Sequence, residues 1–312
     1  MAGVFESLIG VTAVRRDLGE RGVLRLTGGD RVRFLNGMLT NDVAKLAAGE
    51  LCSALLLDRK GRIQSELQVL ACDDAFLLDT APGTASSVYE SLERHIIADD
   101  VAVENLSAAW GHIGLEGPAV RAVLERERMP LPAPGHFERA EWNAESLVWV
   151  GEGSLTPEGV QVLGSREQLE KLVLALDLSL LSAEQVELLR IESFLPAYGI
   201  DVTERNFPAE ARLEHAVSYT KGCFIGQEIV ARIRSRGAVK RFLVQIRTEA
   251  PVSRGDAIRV GTSAVGEITS AAASGASGPV ALGYVRAAHA EPGTALDVAG
   301  TSGIIAGPAL ES

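Results

Sequence analysis

The chain has 312 residues and a formal net charge of −11, from 30 Lys and Arg against 41 Asp and Glu. That length calls for two or three compact domains rather than one core, and the acidic balance argues against a general nucleic-acid binder, which needs a basic surface. No apolar run reaches the roughly 18 residues of a membrane helix, residues 1–10 lack the pattern of a secretory signal, and Cys52, Cys72 and Cys223 form neither a metal spacing nor a disulfide framework, as in a protein of the reducing cytoplasm.

In chain order, Val23–Leu26 reads as a strand, and Asp30 as the cap of a short helix through Phe34 and Leu35 with Gly37 as its stop. Residues 51–57 and 63–71 read as strands joined by a turn over 58–61, with a further strand at 75–79. A helix is expected over 84–97 and a strand over 101–106. Strands at 112–115, 147–150 and 159–163 alternate with helices: one follows Pro118 to about Arg128. Another starts at a capping box of Ser165 and Gln168. A second box, Ser182 and Gln185, opens a helix that ends before Pro196. From about Lys240 the pattern changes to short alternating strands without a helix of ordinary length, as in a small β-barrel. Residues 271–278, small and glycine-containing, read as a loop. The class is therefore α+β, with an α+β region over 1–239 and a β-barrel domain over 240–312.

Several chemistries are set aside. The sequence has no phosphate-binding Gly-Lys-Ser/Thr loop, no dinucleotide fingerprint, no nucleophile elbow, and no histidine pair at metal spacing, so no metal site is expected. Three features remain. Glu192 lies three and four residues after Leu189 and Leu188, beside the apolar stripe of its helix. A partly buried carboxylate requires a partner, either a structural ion pair or a ligand. From Lys221 to Arg247 there are seven basic residues, including Arg232, Arg234, Arg236 and Arg241, and one acid, Glu228. This is either a solvated strand or hairpin face or a dock for a small anion. In Lys221-Gly222-Cys223-Phe224-Ile225-Gly226-Gln227-Glu228 two glycines bracket a cysteine that follows a lysine. A nearby cation favours a reactive thiolate, although a lone cysteine is more often a small buried hydrophobe.

The segment Lys221–Glu228 resembles the signature of the YgfZ folate-binding family, related to the glycine-cleavage T-protein. The resemblance extends to residues 34–43 (FLNGMLTNDV), 189–193 (LRIES), 196–201 (PAYGID), 207–210 (FPAE) and 266–270 (GEITS). It implies two interlocked α+β units around a central folate cavity and a C-terminal β-barrel. It further implies tetrahydrofolate as the cofactor, with Glu192 on the pterin ring, Arg241 near the glutamate tail, and Lys221 and Asn41 as further cofactor-binding residues. It also implies the role of an accessory protein in iron–sulfur cluster assembly or repair, with Cys223 as the essential group. The expected partners are folate and iron–sulfur proteins, without nucleic acid or membrane, for a monomeric chain. The alternative is an aminomethyltransferase, with Glu66 as the catalytic carboxylate. Against it stands Gly61-Arg62-Ile63-Gln64-Ser65-Glu66, where the transferases carry paired glycines and then paired aspartates. Catalytic groups tolerate only small misplacements, so the expected transfer activity is absent or very low. Phe194 and Arg212 stand where related chains are expected to have glycine, and either narrow the cavity or adjust a turn.

Overall fold

The computed structural model describes residues 12–143, 145–237, 239–275 and 278–308. The expectation about residues 1–10 lies outside them. Two compact units result: residues 12–181 with 215–227, and residues 182–214 with 228–308.

The first unit holds two five-stranded sheets. Its elements in order are β1 (Val14–Asp17), β2 (Gly22–Thr27), α1 (Arg31–Met38), β3 (Leu51–Leu57), β4 (Ile63–Ala71), β5 (Ala75–Thr80), α2 (Ala85–His95) and β6 (Ala102–Asn105). There follow β7 (Trp110–Glu116), α3 (Val120–Arg126), β8 (Phe137–Trp142), β9 (Glu145–Val150), β10 (Val160–Ser165) and α4 (Arg166–Leu176). One sheet runs β3-β4-β5-β2-β6 and the other β1-β7-β10-β9-β8. Their neighbouring strands pair antiparallel throughout.

Each sheet buries one face under helices, as period-2 strands and period-3.6 helices require. Phe34, Leu35 and Met38 of α1, with Val88 and Leu92 of α2, close over Leu24, Leu56, Val69 and Leu78. Leu124 of α3 and Leu169 and Leu172 of α4 close over Ile113, Trp149 and Val162. The opposite faces share a third apolar layer, in which Val23, Leu70 and Leu77 meet Val148, Val150 and Leu163. Each such side chain contributes about 1.5–3 kcal/mol on full burial.

In the second unit, α5 (Ala183–Glu192) precedes α6 (Gln227–Arg236), which starts at the last residue of the first unit. Six strands then close a barrel: β11 (Arg241–Thr248), β12 (Ala257–Val260), β13 (Ser263–Gly275), β14 (Gly278–Arg286), β15 (Ala295–Val298) and β16 (Thr301–Gly307). Their order is β11-β14-β13-β12-β15-β16, with β16 returning to β11. Val244, Ile246, Ile268 and Val285 fill the barrel. Ile191 of α5 packs outside it against Leu243, Val280 and Leu282, so residues 182–214 group with the barrel.

Most expected elements are present, with instructive differences. Helix α1 passes through Gly37 to Met38, and Asp30 makes no side-chain cap; its carboxylate accepts from Asp100 N–H at 2.9 Å instead. Only half of the Ser165 box forms, whereas Ser182 and Gln185 bond reciprocally. Strands β1 and β8 are the edges of their sheet, each with one strand neighbour, and their charged residues blur the alternation that marks a strand. The stretch 271–275 is strand rather than loop, since Ala271 and Ala272 pair with Ala281 and Val280; residues 276 and 277 lie outside the described chain. The basic segment is not a hairpin. Its residues 227–236 form helix α6, whose Ile229, Val230 and Ile233 follow helical spacing but are easily lost among polar residues.

Phe194 and Arg212 both adopt left-handed backbone, with φ of 53° and 62°. These residues therefore adjust turns that glycine makes without steric cost. Contacts offset the strain: Phe194 joins the α5–barrel cluster, and the Arg212 guanidinium lies 4.5 Å over the Phe242 ring while donating to Leu243 and Pro308 carbonyls. The expected order of stability is wild type, then Arg212→Gly, then Arg212→Ala. Alanine loses the contacts and keeps the strain, so it should lie about 1 kcal/mol below glycine in denaturant unfolding. Glycine falling below alanine would refute the strain.

Candidate functional site

The cysteine segment is anchored from both sides in the first unit. Lys221 is buried, and its ammonium donates to the carbonyl oxygens of Asn36, Leu39 and Asn41 at 2.5, 2.7 and 2.8 Å. Three N–H donors thus meet three carbonyls at the end of α1, where a helix leaves acceptors without partners. Lys221, not Gly37, provides the stop. Burial pushes its pKa down to about 8. Three residues on, Phe224 is buried, and Ile225 packs on the apolar layer under α1. Gly226 has a φ of +84°, and a β-carbon there would meet the Asp58 carbonyl oxygen at 2.6 Å. The segment is thereby fitted to the β3–β4 turn, whose Asp58 side chain accepts from the backbone of Lys60 and Arg62 at 2.8 Å. Between these anchors Cys223 is exposed.

This geometry alters the reading of Lys221. Its donors are all spent on carbonyls, so its first role is to place the loop. Asn41 is held likewise: its amide donates to Ser53 O at 2.7 Å and its side-chain oxygen accepts from Asp42 N–H at 2.9 Å. Neighbouring Thr40 is fully buried, donates to Ala216 O, and accepts from Leu55 N–H. Residues 34–43 and the approach to the cysteine are thus joined by side-chain-to-backbone bonds.

Glu66 lies on β4 opposite Leu55, and its negative charge acts on Arg21. Arg21 in turn binds Asp79 at 2.8 Å, and His112 approaches the same carboxylate at 3.3 Å. Burial opposes ionisation of Asp79, but Arg21 and His112 outweigh it and hold the carboxyl below its ordinary range. Ser65 faces away from Glu66, as strand alternation requires. It is fully buried and bonds Thr84 Oγ1 at 2.7 Å.

In the second unit, Glu192 ends α5 with its side chain 6% exposed. Its partner is Arg247, with Nη1 2.8 Å from Oε1 and Nη2 2.6 Å from Oε2. Gln245 of the same strand donates to the carbonyls of Ile191 and Glu192 at 2.6 and 3.0 Å. Arg241 is nearly half-exposed; it lies 3.6 Å from Glu210 and its guanidinium stacks 4.6 Å over the Tyr284 ring. A buried network supports this region. Arg190 binds Asp201 at 2.6 Å and also Glu187 and Ser270, while Asp201 accepts from Ser270, Thr269 and the Ala197 N–H. Arg247 lay in the basic segment and Arg190, Asp201, Thr269 and Ser270 in the motif blocks, but their pairing was not legible: Glu192 needed a partner, and that partner lies 55 residues away.

Among the described residues no three His, Cys, Asp or Glu side chains gather to hold a metal, and no helix is long and apolar enough to cross a membrane. Residues 13–131 match the GCVT N-terminal domain, and residues 241–304 match the glycine cleavage T-protein C-terminal barrel domain. A chloroplastic Arabidopsis thaliana protein named as a transferase is 28% identical over 290 residues, which is 90% of this chain and 67% of that protein. The tRNA-modifying protein YgfZ of Yersinia pestis is 27% identical, over 72% of this chain and 68% of its own length. An aminomethyltransferase of Exiguobacterium sibiricum is 28% identical, over 83% of this chain and 75% of its own. The chain thus spans about two thirds to three quarters of these relatives. The fold is that of the glycine cleavage aminomethyltransferase T from Bartonella henselae, with a TM-score of 0.87 at 22% identity, covering 97% of this chain and 88% of that one.

The thiols should differ in reactivity. Burial pushes the Cys52 thiol up to about 11 and raises that of Cys72, and both are partly buried. Burial thus disfavours the thiolate, the nucleophilic form, at both positions. Alkylation of the folded protein, followed by peptide mass mapping, should label Cys223 first; equal rates at the three positions would refute this. Removing the ammonium in Lys221→Met should cost about 3 kcal/mol in unfolding measurements, since three buried carbonyls lose their donor. On these two domain matches, which together cover more than half of the chain, it belongs to the glycine-cleavage T-protein superfamily, and relatives named YgfZ and aminomethyltransferase are similarly distant from it.

Proposed function

We propose that this protein binds tetrahydrofolate and acts, through Cys223, as an accessory factor in iron–sulfur cluster assembly or repair. The observation that carries the folate reading is a nearly buried carboxylate, Glu192, fixed at a helix end by its fork with Arg247. Such a group suits the paired N–H donors of a pterin, and a half-exposed arginine such as Arg241 suits the carboxylates of the glutamate tail. Tetrahydrofolate supplies nitrogens that carry one-carbon units.

The role of Cys223 rests on its exposure between the buried anchors Lys221 and Phe224. The loop spends its stability on holding that thiol outward, which a packing cysteine would not require. The reading is of a protein of the reducing cytoplasm, where thiols stay free. The name of the Yersinia relative mentions tRNA; a net charge of −11 argues against direct binding of a phosphate backbone by this chain. The reading is of a monomer.

Aminomethyl transfer is the second reading, favoured by relatives of that name at similar identity. It is opposed by Ser65, where a hydroxyl committed to Thr84 replaces a carboxylate. Glu66 remains as the acid or base that such an activity would use.

Calorimetric titration with tetrahydrofolate tests the first reading. Binding is expected, and Glu192→Gln should weaken it by about 1–3 kcal/mol, the usual loss for a hydrogen bond to a charged group. Unchanged affinity would remove Glu192 from the site. Cys223→Ser should leave folding and folate affinity intact while iron–sulfur enzyme activities fall in cells relying on this variant. Full complementation by the serine form would exclude the thiol. Methylene transfer from an aminomethylated carrier protein should be undetectable or very slow, and robust turnover would put the transferase reading first.

A further inference from the structure

The acceptor edge of Glu192 is already in use. Arg247 reaches it from β11 as a fork, Nη1 to Oε1 at 2.8 Å and Nη2 to Oε2 at 2.6 Å. In this end-on arrangement each nitrogen takes one oxygen. A planar ligand with two adjacent N–H groups would bond across that same edge. The 2-amino-4-oxopyrimidine edge of a pterin is such a ligand, since its exocyclic amine and ring N–H are spaced like two arms of a guanidine. Arginine and pterin therefore compete for one acceptor edge.

Magnitudes favour the internal competitor when the edges alone are compared. Guanidinium carries a full positive charge, so its bonds to carboxylate are charge-assisted from both sides; the pterin edge is neutral. The pair is shielded, with Arg247 25% and Glu192 6% exposed, which limits solvent screening. The backbone fixes the competitor in place. Val244 and Ile246 point into the barrel, which leaves Gln245 and Arg247 on its outer face, and Gln245 fastens the end of α5 through the carbonyls of Ile191 and Glu192.

We infer that Arg247 is a specificity-determining residue of the proposed folate site, an internal competitor that a ligand must displace from Glu192. The inference rests on the reading of Glu192 as pterin acceptor. A bare pterin offers the edge and little else, and binds poorly. A complete folate gains contacts through its aminobenzoylglutamate portion and can displace the guanidinium. The apparent affinity is reduced by the fraction of molecules in which the fork is closed.

The test is titration of the full chain and its Arg247→Met and Arg247→Lys variants with tetrahydrofolate, a bare tetrahydropterin and para-aminobenzoylglutamate. With methionine both pterin-bearing ligands should bind about tenfold more tightly or better. Lysine, a point donor rather than a fork, should fall between, and para-aminobenzoylglutamate should be unaffected. Unchanged or weaker tetrahydrofolate binding in the folded variants, against a wild type that binds, overturns the inference and leaves the folate reading standing. Absence of binding in all three proteins overturns both. Binding by the methionine variant alone supports the competition and overturns the reading that the unaltered protein takes up folate. The lysine variant keeps a cation beside Glu192 and decides the matter if the methionine variant does not fold.

Discussion

Lys221 is the contact on which the cysteine segment depends. Its ammonium satisfies three carbonyls where α1 ends, which costs the lysine its solvation but leaves no acceptor stranded. One buried cation thereby fixes the end of a helix, the path of residues 36–41 and the start of the loop carrying Cys223. The loop is closed at its other end by Phe224 and by Gly226 against Asp58. An exposed thiol on a loop would ordinarily be mobile; here flanking residues are tied to the core, so the sulfur is presented on a fixed backbone. The lysine thus acts on the cysteine through position, since its donors are already engaged.

A comparable economy operates in the second unit. Arg190, Asp201, Thr269 and Ser270 come from three separated stretches of sequence, and they form one buried network. Buried charges are costly unless paired and hydrogen-bonded, and here each partner is met by another. The network fixes α5 against β13, and α5 carries Glu192 at its end. The Glu192–Arg247 fork and the Gln245 bonds then set that carboxylate against β11. A folate-binding reading and a structural ion pair are therefore not exclusive descriptions of Glu192: the same fork positions the carboxylate and competes for it.

The departures from the transferase pattern have a local physical form. At Ser65 a buried hydroxyl pairs with Thr84 where a carboxylate would need a cation or several donors. Glu66, on the other face of β4, acts electrostatically on Arg21, which binds Asp79 beside His112. Phe194 and Arg212 take glycine-like backbone angles and offset the strain through a hydrophobic cluster and a ring stack. Both substitutions preserve the turn while changing what surrounds it.

The sequence by itself determined the α+β class, the terminal barrel, most strand and helix positions, and the blocks that mark the superfamily. These follow from periodicity, turn chemistry and motifs, which are local. It also showed that Glu192 needs a partner and that residues 221–247 are basic. Tertiary structure alone decided that the partner is Arg247, that Lys221 caps α1, and that Arg190 and Asp201 join three motifs. It also decided that part of the basic segment is helix α6, whose three apolar residues give a weak periodic signal. The edge strands β1 and β8 were missed for a related reason, since their charged residues blur the alternation that marks a strand. The ion pairs were hidden because Coulomb attraction and hydrogen bonding act through space. Glu192 and Arg247 lie 55 residues apart, and Lys221 lies 185 from the Asn36 carbonyl that it bonds; nothing in the local pattern of either residue names the other until the chain is folded.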